Sequence, residues 1–357
     1  MINNIYIVPI EPIDQRYTQQ WYNNIPNILN DIIDQWEIDY QVVTIDGEQS
    51  KTGTTAGAFL DFAVTNQYKA SQTQRIAELF ATGKVLPGDK FLITDAWNFV
   101  ITAIRYMSDL LDIPVEIHGI WHAGAYDPTD ILGMKMQKPW PWRQEAAWYY
   151  ACDYNYYATE FHKQMFLTNL GIDPSGWYKA VRSGQPHDLI VKEIKALEPG
   201  KRERTVMWPH RLNADKQPEI MRDLAKHLKV IITQEQNWSK SEYYQQLAKT
   251  SVVFSCSLHE NLGISQMEGV LAGAIPVVPD RASYTEMYPD IFKYPTEWTS
   301  STDNYYKHKD RVIGLIADRM ENYNYYADAL KECENNLISN YLNANIMIGK
   351  LIGKNSG

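Results

Sequence analysis

Short apolar runs rich in Ile and Val recur along the chain, separated by longer stretches in which apolar residues return every three or four positions. The short runs lie near residues 5–10, 40–45, 91–94, 114–120, 205–208, 230–233, 252–255 and 275–278. Their continuous rather than alternating hydrophobicity predicts strands covered on both faces, as in parallel sheets. The intervening helical periods at 21–36, 75–80, 242–248, 264–271 and 311–338, with one helix closing at 110–113, make the pattern α/β. Residues 148–157 admit either a strand or a helix, and 158–166 read as a last strand turning into a helix. Residues 176–200 read as a crossover, punctuated by Gly184, Pro186, Pro199 and Gly200. A chain of 357 residues suits two cores rather than one. The expected division is 1–195, 196–335 and a C-terminal helix at 336–357 that crosses back to the first domain.

The most informative stretch is 255–280, SCSLHENLGISQMEGVLAGAIPVVPD. It reads as strand, loop, helix, strand. Ile264, Met267, Val270 and Leu271 fall at helical spacing, and Gly273 suits the C-terminal cap. The loop of Asn261, Leu262, Gly263 and Ile264 opens that helix, where unpartnered N–H groups and the helix dipole favour an anion. Gly263 permits a close backbone approach. Glu260 before the loop and Glu268 one turn into the helix would flank a bound phosphate and accept from hydroxyls on either side. A sugar–phosphate–ribose ligand has that arrangement of groups. Upstream, Arg211 and Lys216 follow the strand at 205–208. Two fixed cations stabilise a departing diphosphate most strongly in the transition state.

This pattern resembles the donor-binding signature of retaining GT-B glycosyltransferases, the large family related to sucrose and glycogen synthases. Glu260-Asn-Leu-Gly-Ile-Ser-Gln-Met-Glu268, then Leu271-Ala-Gly-Ala-Ile-Pro-Val-Val278, matches its Glu, seven residues, Glu motif. Arg211-Leu-Asn-Ala-Asp-Lys216 keeps its Arg-to-Lys offset, with Pro209-His210 in place of the usual preceding residues. The resemblance implies two doubly wound Rossmann-like domains facing across a cleft. It implies sugar transfer from a nucleotide-diphosphate sugar with retention at the anomeric carbon. Glu260 would bind sugar hydroxyls and Glu268 the ribose. A histidine on the loop after the strand at 114–120 would contact the sugar; His122 is the first choice and His118 the second, on the same strand face if the strand runs through 122. Gln236 and Trp238 are candidates for the nucleobase. With no Asp-x-Asp pair in the cleft stretches, no metal is expected, and no cofactor beyond the nucleotide-diphosphate sugar as co-substrate.

On the acceptor side the family's Gly-rich turn after the first strand is replaced by Pro9-Ile-Glu-Pro-Ile-Asp-Gln-Arg16, making Glu11 and Arg16 candidates. Asp95 sits just past a strand end, where an open α/β sheet binds ligands. Gly53-Thr-Thr-Ala-Gly57 lacks the Lys-Ser/Thr of a phosphate loop. Lys135-Met-Gln-Lys138-Pro-Trp140-Pro-Trp142-Arg143 interleaves cations with aromatics and reads as a stiff loop. Thr94-Asp-Ala-Trp97 and Gly119-Ile-Trp-His-Ala-Gly124 with Tyr126-Asp-Pro128 resemble glycosyltransferases of T-even-like bacteriophages. That resemblance implies a hydroxymethylated pyrimidine in phage DNA as acceptor, contacted by Trp140, Trp142 and Arg143. A carbohydrate or small-molecule acceptor, or a non-catalytic nucleotide-sugar-binding protein, remains open.

Charge and composition change this only in part. Residues 1–200 carry 15 Lys and Arg against 24 Asp and Glu, and the rest carry 19 against 19. An acidic first half disfavours nucleic acid except at a local basic patch. The 24 Tyr and 11 Trp suit sugar and base sites as well as cores. Cys152, Cys256 and Cys333 suggest neither a disulfide framework nor a zinc site. The start has no basic segment leading a long apolar run, so no signal peptide is expected. The cytoplasm, that of the host for a phage protein, is the expected location, with no membrane span.

Overall fold

A computed structural model describes residues 2–13, 16–49, 61–198 and 200–353. The Gly53–Gly57 stretch, Pro199 and the last four residues of the C-terminal segment lie outside them. The chain forms two units: Met1–Ala158 with His162–Pro186 and Ala344–Gly357, and Thr159–Phe161 with His187–Asn343. The main division precedes the helix Asp188–Lys195, ahead of the expected 195/196 boundary.

The first unit holds six strands: β1 Asn3–Val8, β2 Tyr40–Thr44, β3 Lys90–Ile93, β4 Glu116–Ile120, β5 Tyr154–Tyr157 and β6 Ala180–Arg182. Every pairing is parallel, in the order β2-β1-β3-β4-β5-β6. Side-chain alternation sends Tyr6, Val8, Phe91 and Ile93 into one core and Ile5, Ile7 and Leu92 into another. The second core is covered by Trp21, Ile25 and Leu29 of the helix Tyr17–Trp36, and by Met347, Ile348 and Leu351 of the helix Asn345–Leu351. Burying each of these aliphatic side chains contributes roughly 1.5–3 kcal/mol, so the C-terminal segment is an integral layer of the first unit.

The second unit holds β7 Glu203–Trp208, β8 Val230–Ile232, β9 Thr250–Phe254, β10 Ile275–Pro279 and β11 Lys293–Tyr294. Its order is β11-β10-β9-β7-β8, again all parallel. β9 and β10 are buried at every position, as continuous apolar runs require.

Strand order determines where ligands can sit. Successive strands lie side by side until the order reverses, at β1/β3 in the first sheet and at β7/β9 in the second. Segments leaving neighbouring strands there diverge and open a crevice at their carboxyl ends. Residues 209–216 leave β7, and 255–263 leave β9.

Several expectations need correction. Residues 139–143 are not a loop: Pro139 occupies the first position of the helix Pro139–Ala151, where its missing N–H costs nothing. The helical period at 311–338 is two helices, Thr302–Glu321 and Ala327–Asn340, joined by a 3-10 turn at Tyr323–Tyr326. The crossover contains β6 and the helix Asp188–Lys195. Among the described residues, no helix is long and apolar enough to cross a membrane.

Candidate donor-binding site

In the second unit the reversal point brings Lys216 and Glu260 together. Their Nζ and Oε1 atoms are 3.0 Å apart. Lys216 is buried and also donates to Ser257 Oγ at 2.8 Å and to the His259 carbonyl at 2.5 Å, with Asp215 at 3.1 Å. The ammonium is therefore fixed in place by four oxygen partners. Glu260 retains 16% side-chain exposure, and its Oε2 has no hydrogen-bond partner among the described residues. Burial pushes its carboxyl up, but Lys216 and then His210 outweigh that and hold it below the usual glutamate range.

His210, set aside in the sequence as a mere departure from the family's pattern, belongs to this cluster. It is buried, with Nδ1 3.8 Å from Glu260 Oε1. Its Nε2 lies 3.2 Å from the amide nitrogen of Gln266, which also donates to the Phe254 carbonyl. That network assigns Nε2 as the acceptor and puts the imidazole proton on Nδ1, facing Glu260. Burial pushes the His210 imidazole down to about 4 despite Glu260, so the ring is neutral at pH 7. Arg211 is exposed, just beyond it.

The helix Ile264–Leu271 starts beside this cluster. Gly263 caps it at φ +74°, and a Cβ there would lie 2.7 Å from Tyr284 Cε1. Both facts require glycine. The N–H groups of Leu262, Gly263, Ile264 and Ser265 have no acceptor among the described residues. Unpaired N–H groups at a helix start favour an anion. Thr159, part of the same unit, donates to the Asn261 carbonyl at 3.0 Å.

Glu268 lies one turn along from Ile264, and its carboxylate is already engaged. Lys240 Nζ is 2.6 Å from Oε1, Tyr244 Oη is 3.0 Å from Oε1, and Tyr243 Oη is 2.9 Å from Oε2. The glutamate is 4% exposed. Lys240, Tyr243 and Tyr244 come from the helix Lys240–Leu247, opened by a capping box at Ser239 and Glu242. No sequence motif marked them. Gln236 is exposed and Trp238 half-buried beside the 3-10 turn Thr233–Glu235.

In the first unit, His122 follows β4 and is partly exposed. Its Nε2 is 2.7 Å from the Thr94 carbonyl, which only accepts, so Nε2 carries the proton. Its Nδ1 faces Tyr17 Oη at 3.5 Å and Gln185 Nε2 at 3.4 Å. Burial holds its pKa below the usual histidine value. His118 is a correction: it is fully buried, bonded to Tyr156 Oη at 2.8 Å and Glu116 at 3.3 Å, and stacked on Tyr154. β4 ends at Ile120, so no strand carries it to the face of His122.

Asp95 is buried against Lys69 at 2.9 Å, and Glu11 accepts from Thr65 at 2.7 Å. Arg16 stands at the N-cap of the helix Tyr17–Trp36. Trp140, Trp142 and Arg143 are exposed. Trp140 and Arg143, with Lys138, Pro139, Gln144 and Ala147, line an open groove of about 550 Å³. The same helix braces the loop after His122. Trp142 Nε1 donates to the Ala125 carbonyl at 2.8 Å, and Glu145 accepts from the Ala125 and Tyr126 N–H groups and from Trp97 Nε1. Burial pushes the Glu145 carboxyl up to about 7 against those donors.

No protein-family model matches the chain. The tRNA-queuosine alpha-mannosyltransferase of Drosophila melanogaster is 27% identical over 170 residues, covering 38% of this chain and 44% of that protein. The chain thus spans less than half the length of this curated relative. The catalytic domain of starch synthase IV from Arabidopsis thaliana, bound to ADP and acarbose, superposes with a TM-score of 0.57 at 10% identity, covering 99% of this chain and 100% of that one. HepE from Anabaena, in complex with UDP and glucose, gives 0.58 at 12% identity over 98% of both chains. The trehalose-phosphate synthase of Burkholderia vietnamiensis gives 0.57 at 14% identity over 99% of both. At such identities the likeness establishes the fold, which is GT-B, built on parallel sheets of six and five strands.

Proposed function

We propose that this chain is a glycosyltransferase that takes its sugar from a nucleotide-diphosphate sugar. One observation carries the reading: a buried Lys216–Glu260 pair beside a glycine-capped helix start, at the point where the second sheet reverses its strand order. The cation and the unpartnered amides suit a diphosphate. The solvent-reached Oε2 of Glu260 suits a sugar hydroxyl, because Lys216 already fixes Oε1. Arg211 adds a second positive charge toward the leaving group, and Glu268 takes the ribose. The anomeric carbon–oxygen bond breaks and its electron pair goes to the diphosphate. A new bond forms from the acceptor oxygen, whose proton passes to the departing phosphate oxygen. Retention follows from the family resemblance, as does a part for His122 in transfer.

For the acceptor we favour a base in nucleic acid, specifically a hydroxymethylated pyrimidine in phage DNA. The exposed Trp140 and Trp142 beside Lys138 and Arg143 support this, since rings that stack and cations that meet phosphate suit that polymer. The Drosophila melanogaster relative is a mannosyltransferase named for a modified nucleoside in tRNA, which supports a nucleic-acid acceptor in general.

A screen of UDP-, GDP- and ADP-sugars against hydroxymethylated and plain DNA, read by mass, tests both parts. Transfer or donor hydrolysis that is lost in Arg211→Ala and Glu260→Ala supports the enzyme. Tight donor binding without turnover would make the chain a binding protein instead. DNA affinity that falls steeply with salt, and falls again in Lys138→Ala and Arg143→Ala, supports the acceptor. Transfer only to carbohydrate or small molecules would overturn it.

A further inference from the structure

A ribose offers a vicinal diol, two groups that each donate one hydrogen bond and accept others. A carboxylate has about four lone-pair positions. Glu268 has committed three of them, to Lys240, Tyr244 and Tyr243. It can take one more hydroxyl, not two. A motif glutamate acting alone cannot satisfy the diol in this chain.

The missing partner is beside it. Lys240 brings three N–H donors, spends one on Glu268, and has no other hydrogen-bond acceptor among the described residues. Its side chain is 36% exposed, whereas that of Glu268 is 5% exposed. Tyr243 and Tyr244 hold the ammonium from below, with ring centroids at 5.3 and 4.6 Å. The ammonium of this partly exposed side chain, 2.6 Å from a buried carboxylate, forms a matched donor–acceptor couple. One hydroxyl donates a hydrogen bond to the carboxylate while its neighbour's oxygen accepts one from the ammonium.

We propose that Lys240 is a specificity-determining residue that donates to the 2′-oxygen of the donor nucleotide's ribose while Glu268 accepts from the 3′-hydroxyl. The inference rests on the donor reading above and adds a residue outside its motifs. Losing one hydroxyl strands a donor or an acceptor beside a charge, so discrimination against the deoxy form is expected to be about tenfold or more.

Calorimetric titration of UDP, GDP and ADP and their 2′-deoxy counterparts tests this on the full chain. Lys240→Met keeps the stem and removes the ammonium; Lys240→Arg keeps a cation. The wild type should prefer the ribose form by about tenfold. Lys240→Met should bind ribose and deoxyribose forms alike, near the wild type's deoxy affinity, and Lys240→Arg should restore part of the preference. Unchanged thermal unfolding of the variants confirms that the fold survives; Lys240→Arg decides the matter should Lys240→Met not fold. Full discrimination in Lys240→Met, or an equal loss for both forms, overturns the proposal. Equal wild-type affinity for both forms also overturns it but leaves the donor reading intact. Failure of the folded wild type to bind any of the three nucleotides removes the donor reading itself.

Discussion

Replacing Lys216 with Met should convert Glu260 from a stabilising carboxylate into a destabilising one, and pH should reveal the change of sign. In the wild type the Glu260 carboxyl lies below its unfolded value of about 4.3, because Lys216 and His210 outweigh burial. A depressed acid contributes stability that is complete above the unfolded value and is lost as pH falls through the folded one. Lys216→Met removes the largest lowering charge and leaves the burial. The folded carboxyl then rises above about 4.3, and stability is lost as pH rises through that interval. Breaking a buried pair from one side costs about 3–5 kcal/mol. With Glu260 still 16% exposed, the lower end is expected. Hydrogen exchange of peptides from β7 and β9, followed by mass spectrometry between pH 4.5 and 7, reports the second unit alone. The variant should lose about 3 kcal/mol of protection, with the loss growing toward pH 7. Adding Glu260→Gln should recover part of it. If the loss is independent of pH and unchanged in the double variant, the stranded carboxylate is not its cause.

Gly263→Ala places a Cβ in the left-handed region and against Tyr284. It should cost about 1–2 kcal/mol in second-unit stability and weaken nucleoside diphosphate binding about tenfold or more, measured by calorimetry. Glu145 has a folded pKa raised to about 7. A raised acid loses stability as pH climbs from its unfolded value to its folded one. First-unit stability, read by exchange in β3 and β4, should therefore fall between about pH 4.3 and 7, and Glu145→Gln should flatten that slope. His122→Phe should reduce sugar transfer at least a hundredfold, an effect of about 2.7 kcal/mol on the barrier, while leaving calorimetric nucleotide affinity within threefold of the wild type.

How much of this was legible beforehand depends on distance along the chain. Gly263 and its helix were legible because a cap, an apolar period and a following strand are all local signals. The contact of Lys216 with Glu260 follows from sheet order, since the neighbouring strands at which that order reverses place their exits together; neither motif's spacing marked the pairing. The partners of buried charges were not legible. Nothing local marks Lys69 as the counter-ion of Asp95, or Lys240 and Tyr243 as the donors to Glu268, because those pairings are set by helices packing from elsewhere. Pro139 misled for a physical reason: a proline that breaks a helix interior is at home in its first turn. His118 misled because the strand ends at Ile120, two residues before the alternation would have brought the two histidines to one face.

The core beneath β1 is closed by Met347, Ile348 and Leu351, which follow the entire second unit in sequence. A ribosome that has made the first half has not yet supplied that lining. The nascent first unit must wait with one apolar flank uncovered while the second unit is synthesised and free to fold. The first unit can therefore complete its core only after every residue of the second has been made, and a stop codon after Asn343 should leave the second unit folded and the first one prone to clumping.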